Sequence, residues 1–399
     1  MRSGGRLLAF VSAVVFVDTT VFGVIAPLLP YYTAELALSK AEAGILVAAF
    51  PAGVIAGAFP AASLVTRVGV RRVTVMGLVA LAWASLVFGF AESLVLLVLA
   101  RFAQGAASAA TWTASLAWLA RETPAERRGE RLGTAFSAAV VGALLGPALG
   151  AAARGTDPAA VFAFGALAGL AMAAWATRMS EPRGEAGEGR LSTALRSPSL
   201  LPGMLVILLV GLFFGVVEVL VPLQLDALGA GGVAIAGAFA LTSLGQAIAG
   251  PRIGRVSDRA GAHAPVAVSL CLGAILAALM PLPESVVLLA VLLVLCGPVG
   301  GGLFVPGMKL LADGAEAAGL DQAYGFAIFN LTWALTTAAG AFAAGAVAEV
   351  AGDTAAYLAL AGVMALAFTA SALVSSGSSR SSGRGPSPSS PSSPSARTR

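Results

Sequence analysis

A helix that crosses a membrane needs about 20 mainly apolar residues, and the chain is built almost entirely from such stretches. They run over roughly 7–30, 42–63, 73–91, 94–119, 132–153 and 158–178, and then 200–225, 233–252, 265–282, 285–308, 322–347 and 353–374. Ser180 to Ser197 interrupts the series with Glu181, Pro182, Arg183, Glu185, Glu188, Arg190 and Arg196, which reads as a polar linker. After the twelfth stretch the composition turns to Ser, Pro, Gly and Arg, which cannot bury a core and predicts disorder. The pattern predicts an all-α integral membrane protein. Its parts are a six-helix bundle (1–179), a linker (180–198), a second six-helix bundle (199–374) and a tail (375–399).

The polar residues between the stretches set an orientation. With the N-terminus inside, every basic residue except Lys40, Arg101 and Arg154 falls in an inner segment. Lys and Arg accumulate on the cytoplasmic side of membrane proteins. The expectation is therefore an even number of spans, both termini in the cytoplasm, and a bacterial cytoplasmic membrane as the setting. Met1 to Arg6 is basic and leads into a stretch too long for a cleavable signal, so it reads as the start of the first span.

Composition agrees with lipid as the solvent. Of the 399 residues, 58% are hydrophobic and only 11% are charged, where soluble proteins carry roughly 25%. The 48 glycines suit helices that approach closely in a membrane. A net charge of +4 raises nucleic acid as a partner, but no basic run is interleaved with aromatics, and none is expected to bind. Cys271 and Cys296 fall in different apolar stretches and read as small buried hydrophobes rather than a disulfide or metal pair. No metal site and no cofactor is expected. Neither His-Glu-x-x-His nor Gly-x-Ser-x-Gly nor a phosphate-cradling loop is present, so an enzyme is not expected. The single histidine, His263, lies in a loop, which excludes a membrane-buried histidine relay.

The two blocks repeat. Pro30 and Pro222, Arg67 and Arg259, and Gly69 and Gly261 are each 192 residues apart (222 − 30 for the first pair). Such repeats mark transporters built from related halves around a central cavity.

Four motifs carry candidate chemistry. After the eighth span stands Gly254-Arg-Val-Ser-Asp258-Arg259-Ala-Gly261, and its first-half copy keeps Arg67, Gly69, Arg71 and Arg72 but has Ala62 and Thr66 in place of the glycine and aspartate. The fourth span carries Arg101-Phe-Ala-Gln104-Gly105, and the fifth carries Gly142-Ala-Leu-Leu-Gly146-Pro147-Ala-Leu-Gly150. Two acids fall within spans: Asp18, ahead of Pro27-Leu-Leu-Pro30, and Glu218, four residues before Pro222. A charge at the bilayer centre costs about 2.5–3.5 kcal/mol on insertion scales, so an idle one is not expected there.

Together these resemble the major facilitator superfamily. The loop signature resembles the superfamily's Gly-x-x-x-Asp-Arg-x-Gly-Arg-Arg, which latches the halves on the cytoplasmic side. Thr66 puts the first-half latch in doubt. The Arg101 motif resembles Arg-x-x-Gln-Gly, implicated in proton coupling; a strut bonded to backbone carbonyls is the alternative for Arg101. The Gly146-Pro147 stretch resembles the signature of the drug:proton antiporter branch. The Asp18 and Glu218 patterns are similar to exporters that include the vesicular monoamine transporters. Tyr324-Gly-Phe-Ala-Ile-Phe-Asn330 is similar to the same group, with Asn330 where the monoamine carriers have aspartate.

The resemblance implies a monomeric proton-coupled exporter of small amphiphilic compounds, possible lipophilic cations among them, by alternating access. Asp18, Glu218, Arg101, Gln104 and Asn330 would be the proton and substrate groups. Uptake of a small metabolite is the alternative. For Asp18 the competing structural role is a carboxyl satisfied by Thr19 or Thr20. Lys309 and Asp313, one turn apart, are expected to pair. Trp112, Trp118 and Trp333 are candidates for the cavity wall or for packing.

Overall fold

The computed structural model describes residues 2–180, 197–318 and 322–382, so most of the predicted linker and tail lies outside the described residues. The first span is two helices, α1 (Arg2–Gly23) and α2 (Ile25–Glu35). Pro27 has no N–H for the Gly23 carbonyl, so the helical ladder breaks at Val24. The first half continues with α3 (Lys40–Val68), α4 (Val70–Gly89), α5 (Leu94–Arg121), α6 (Ala125–Gly155) and α7 (Pro158–Thr177). The second half comprises α8 (Leu201–Ala227), α9 (Gly232–Ala260), α10 (His263–Leu279), α11 (Val286–Ala317), α12 (Gln322–Ala351) and α13 (Asp353–Ser382).

Among the described residues 11 segments are long and apolar enough to cross a membrane. The remaining one, α10, has 17 residues, or about 25 Å at the helical rise, which is at the short end of a span. The helix ends differ from the predicted bounds by a few residues. α13 runs on to Ser382, into the segment expected to be disordered. Large apolar side chains on the outside, such as Trp83, Phe164, Val287 and Leu366, face where lipid would be.

The two halves are packed alike. In each, the first helix lies on the fifth, the second on the fourth and the third on the sixth: α1 with α6, α3 with α5 and α4 with α7 are answered by α8 with α12, α9 with α11 and α10 with α13. The repeat reaches single residues. Gly69 and Gly261 both turn the chain between helices with positive φ, 92° and 84°, a conformation that excludes most side chains. Ser93 and Ser285, also 192 residues apart (285 − 93), each cap a helix by accepting from the N–H three residues on, at 3.4 and 3.3 Å.

The halves meet along α3 with α12 and α6 with α9, and among the described residues their charged contacts lie at one end. At the end away from both termini, Lys40 Nζ pairs with Asp353 at 2.6 Å, its backbone N–H donates to Glu349 at 2.9 Å, and Arg154 pairs with Asp226 at 2.6 Å. Gly44 and Gly345 there bring α3 and α12 into backbone contact. Buried residues from that end of the first half, including Leu28, Leu46 and Phe88, share one apolar core with the whole second half. The termini-side end of the first half has a separate core around Phe10, Val70 and Trp118. Among the described residues the molecule is therefore closed at the end opposite the termini and parted at the end that carries them.

Candidate functional site

Arg101 is 2% exposed in α5, and the sequence around it explains how that is tolerated. Its Nη1 donates to the Val21 carbonyl and to Gln104 Oε1, both at 3.1 Å, and its Nη2 reaches the Phe22 carbonyl at 3.4 Å. Those carbonyls sit just before the break in the first span. Gln104, in turn, donates to Ser85 Oγ at 3.2 Å, and the guanidinium lies 4.7 Å from the centre of the Phe50 ring. The carbonyl-bonded strut anticipated as an alternative is thus present. Yet Nε is buried without a partner, so the strut leaves one donor of this cation unused.

Asp18 is buried in α1, and its partners differ from the expected ones. Thr19 and Thr20 donate to carbonyls of their own helix, Val15 at 2.9 Å and Phe16 at 2.7 Å. The carboxylate is instead held by α5. Ser108 Oγ and Trp112 Nε1 donate to Oδ2 at 2.7 and 2.6 Å, and Thr111 Oγ1 lies 3.1 Å from Oδ1. Thr111 also lies 2.9 Å from the Ser108 carbonyl, and one hydroxyl proton serves only one of the two. Arg101, Gln104, Ser108, Thr111 and Ser115 recur every three or four residues, so one face of α5 carries a polar seam along the first span. Ser108 and Thr111 were missed by motif reasoning, and this period was the signal that would have found them; Ser85, on α4, had no such signal.

Glu218 sits elsewhere, on α8 between the halves. It lines a small cavity of about 80 Å³ with Phe22, Gly23, Ala143 and Pro147 from the first half and Phe239 and Ser243 from the second. Its Oε2 is buried and without a hydrogen-bond partner. It and Arg101 are close enough to interact electrostatically, but no ion pair joins them among the described residues. Arg101 does not line the cavity and acts on Glu218 through space, so the carboxylate has a cation nearby without a bond to it.

The glycines of the fifth span set the wall of that cavity. A Cβ on Gly142, Gly146 or Gly150 would lie 2.5, 2.8 or 2.2 Å from the carbonyl oxygen of Phe16, Thr20 or Val24 respectively. α6 therefore rides directly on the backbone of the broken first span. Pro147 points into the cavity wall beside Gly23, and it also denies the Ala143 carbonyl its helical donor.

The remaining candidates are not drawn to the cavity. Asn330 is half-buried in α12, outside the cavity lining, although Trp333 one turn on packs edge-on against the lining residue Phe22 at 5.4 Å. Tyr324 to Ala327 have no described side chains. Trp118 is a core residue, edge-on to Phe10 at 5.9 Å. The loop motifs lie at the parted end. There Lys309 pairs with Asp258 of α9 at 2.5 Å, not with Asp313 as spacing suggested, because α9 and α11 are packed neighbours. That pair stays within one half. In the first half Thr66 bonds its own helix at Ser63, and Arg71 donates to the Met179 carbonyl at 2.9 Å. Arg67 and Arg259 lie in the last turns of their helices and Gly254 lies within α9, and none of them bonds the other half among the described residues.

Comparison with known proteins follows the same line. A family model described as Major Facilitator Superfamily matches residues 11–241 and 203–397. No curated protein matches the sequence. Among solved structures, a POT family transporter in complex with 5-aminolevulinic acid is similar at 15% identity and TM-score 0.74, covering 92% of this chain and 96% of that one. A bacterial homologue of the human lysosomal transporter Spinster, in an inward-facing and occupied conformation, is similar at 14% identity and TM-score 0.76, covering 94% and 97%. At such identities the likeness is one of fold.

Proposed function

The chain belongs to the Major Facilitator Superfamily and is a multi-pass secondary transporter of small molecules, not an enzyme; from that premise we propose that it exports small amphiphilic organic compounds in exchange for protons. The observation that carries the reading is Glu218: a carboxylate in the cavity between the halves, with one oxygen that no described residue satisfies. A buried, unpaired carboxylate is costly unless it takes up a proton or a guest with positive charge. Alternation between the two makes exchange obligatory, with Arg101 as the fixed cation within electrostatic reach of Glu218. Asp18, already held by three donors from α5, serves as an anchor of the α1–α5 seam that positions Arg101. The termini face the cytoplasm of a bacterial cytoplasmic membrane, so the parted end is the loading side, and the protein works as a monomer.

The Gly142–Gly146–Gly150 face and Pro147 support export, because they lock the first span against the fifth at the closed end and resist leakage inward. A vesicle assay tests the whole reading. With an imposed pH gradient and a lipophilic cation as probe, wild-type protein should drive the probe against the proton flow. Glu218→Gln should lose pH-driven exchange while the folded yield is kept. Asp18→Asn should lose flux together with stability, since an amide NH2 would meet hydroxyl and indole donors. Unchanged flux in both variants rules the reading out, and probe accumulation in the direction of proton flow identifies uptake instead.

A further inference from the structure

The cavity beside Glu218 offers more acceptors than one proton can use. Pro27 leaves the Gly23 carbonyl without a helical donor, and Pro147 does the same for Ala143; both residues line the cavity. Ser243 also lines it, and its hydroxyl proton is committed to the Phe239 carbonyl at 3.2 Å, which leaves its oxygen lone pairs free. Glu218 adds a carboxylate oxygen that is buried and unpartnered. The rest of the wall is apolar: Phe22, Ile25, Ala26 and Phe239. Apart from the committed Ser243 hydroxyl, no side-chain donor lines the space among the described residues. Unwound helix carbonyls together with a carboxylate are how membrane transporters replace the hydration shell of an alkali ion. A volume of about 80 Å³ admits a small cation with a few waters.

We propose that this cavity is a sodium-ion site, formed by Glu218, the proline-freed carbonyls of Gly23 and Ala143, and Ser243. The ion bridges the halves, because Gly23 and Ala143 belong to the first and Glu218 and Ser243 to the second. Sodium competes with the proton for Glu218, so its binding weakens as pH falls. Arg101 is the charged group facing Glu218 from the first half, and it opposes the ion and favours release. The site rests on the proposed exchange only in sharing Glu218; binding itself requires no transport.

The test is thermal unfolding of the full chain in nanodiscs, with NaCl exchanged for KCl or choline chloride at constant ionic strength. A saturable rise in Tm specific to sodium is expected, and it should shrink when the pH is lowered by two units. Glu218→Gln should abolish the rise. Pro147→Ala, which returns an N–H to the Ala143 carbonyl and leaves the carboxylate in place, should raise the half-saturating sodium concentration at least tenfold. Pro27→Ala does the same for Gly23 should Pro147→Ala fail to fold. An equal rise in all three salts, or a sodium-specific rise that survives Glu218→Gln, overturns the site. Proton-driven flux measured in sodium-free buffer keeps the two readings apart: flux without a sodium-specific shift defeats the ion site and leaves exchange standing.

Discussion

Replacing Gly105 by alanine is expected to cost most of the folded protein. Alanine is the better helix former by about 1 kcal/mol, so on propensity alone the change would stabilise α5. The added Cβ, however, would stand 1.9 Å from the Phe50 carbonyl oxygen and 2.8 Å from its carbon, both backbone atoms of α3. Neither can swing aside as a flexible side chain would. The two helices must part by more than an ångström along one of the most closely packed seams in the first half. Overpacking of a core costs about 1–3 kcal/mol and sometimes more, which outweighs the propensity gain. Arg101, one turn away on α5, would move with the helix and lose its stacking on Phe50. Gly297→Ala should behave the same way, since its Cβ would stand 2.0 Å from the Thr242 carbonyl at the corresponding place in the second half. Gly165→Ala and Gly237→Ala are the controls, because nothing lies within 4 Å of either added methyl. Folded yield by size exclusion, and Tm in detergent, separate the two pairs. Equal yields for all four would show that the close approach does not hold the bundle.

The same pair of seams shows why the fold was legible in the sequence and the site only in part. Spans, repeat and loop glycines follow from apolar length and from one residue type at one spacing, both local properties. Gly69 and Gly261 could be named because a turn between spans explains a glycine two residues after an arginine at the same place in both halves. Arg101, Gln104 and Glu218 were legible because polar groups in lipid are expensive wherever they point. What the residues touch was not legible. Asp18 takes its donors from α5 rather than from Thr19 and Thr20, because hydroxyls on a helix find their own carbonyls four residues back before they find a neighbour. Lys309 bonds Asp258 rather than Asp313, because the α9–α11 packing brings a nearer oxygen than the next turn does. Asp18 and Glu218 looked equivalent as in-span acids, yet one is held by Ser108, Trp112 and a shared Thr111 hydroxyl while an oxygen of the other has no partner among the described residues. That difference is set by which helices meet, which no spacing along one helix records.

Gly345→Val is expected to abolish transport without unfolding the protein, and the reason lies in how weakly the closed end is held. A Cβ at Gly345 would stand 2.4 Å from the Lys40 carbonyl and 2.9 Å from the Gly44 Cα, across the line between the halves. Unlike Gly105, this residue packs against the opposite half, so the clash is relieved by parting the halves and not by breaking a bundle. The charged contacts that resist parting are Lys40 with Asp353 and Arg154 with Asp226, whose side chains are 25–41% exposed. Exposed pairs of that kind contribute at most about 1 kcal/mol each, less than the overlap of a branched side chain with backbone. The variant should therefore rest open at the Lys40 end. A cysteine at Ala143, in a background lacking Cys271 and Cys296, reports the state from within the cavity. In wild-type protein a membrane-impermeant maleimide should reach it from the face that carries the termini. In Gly345→Val it should be reached from the opposite face, with flux at the background level and Tm near that of the parent. Labelling from the termini side at the parental rate would mean that the closed end tolerates the valine and that α3 and α12 do not form the gate.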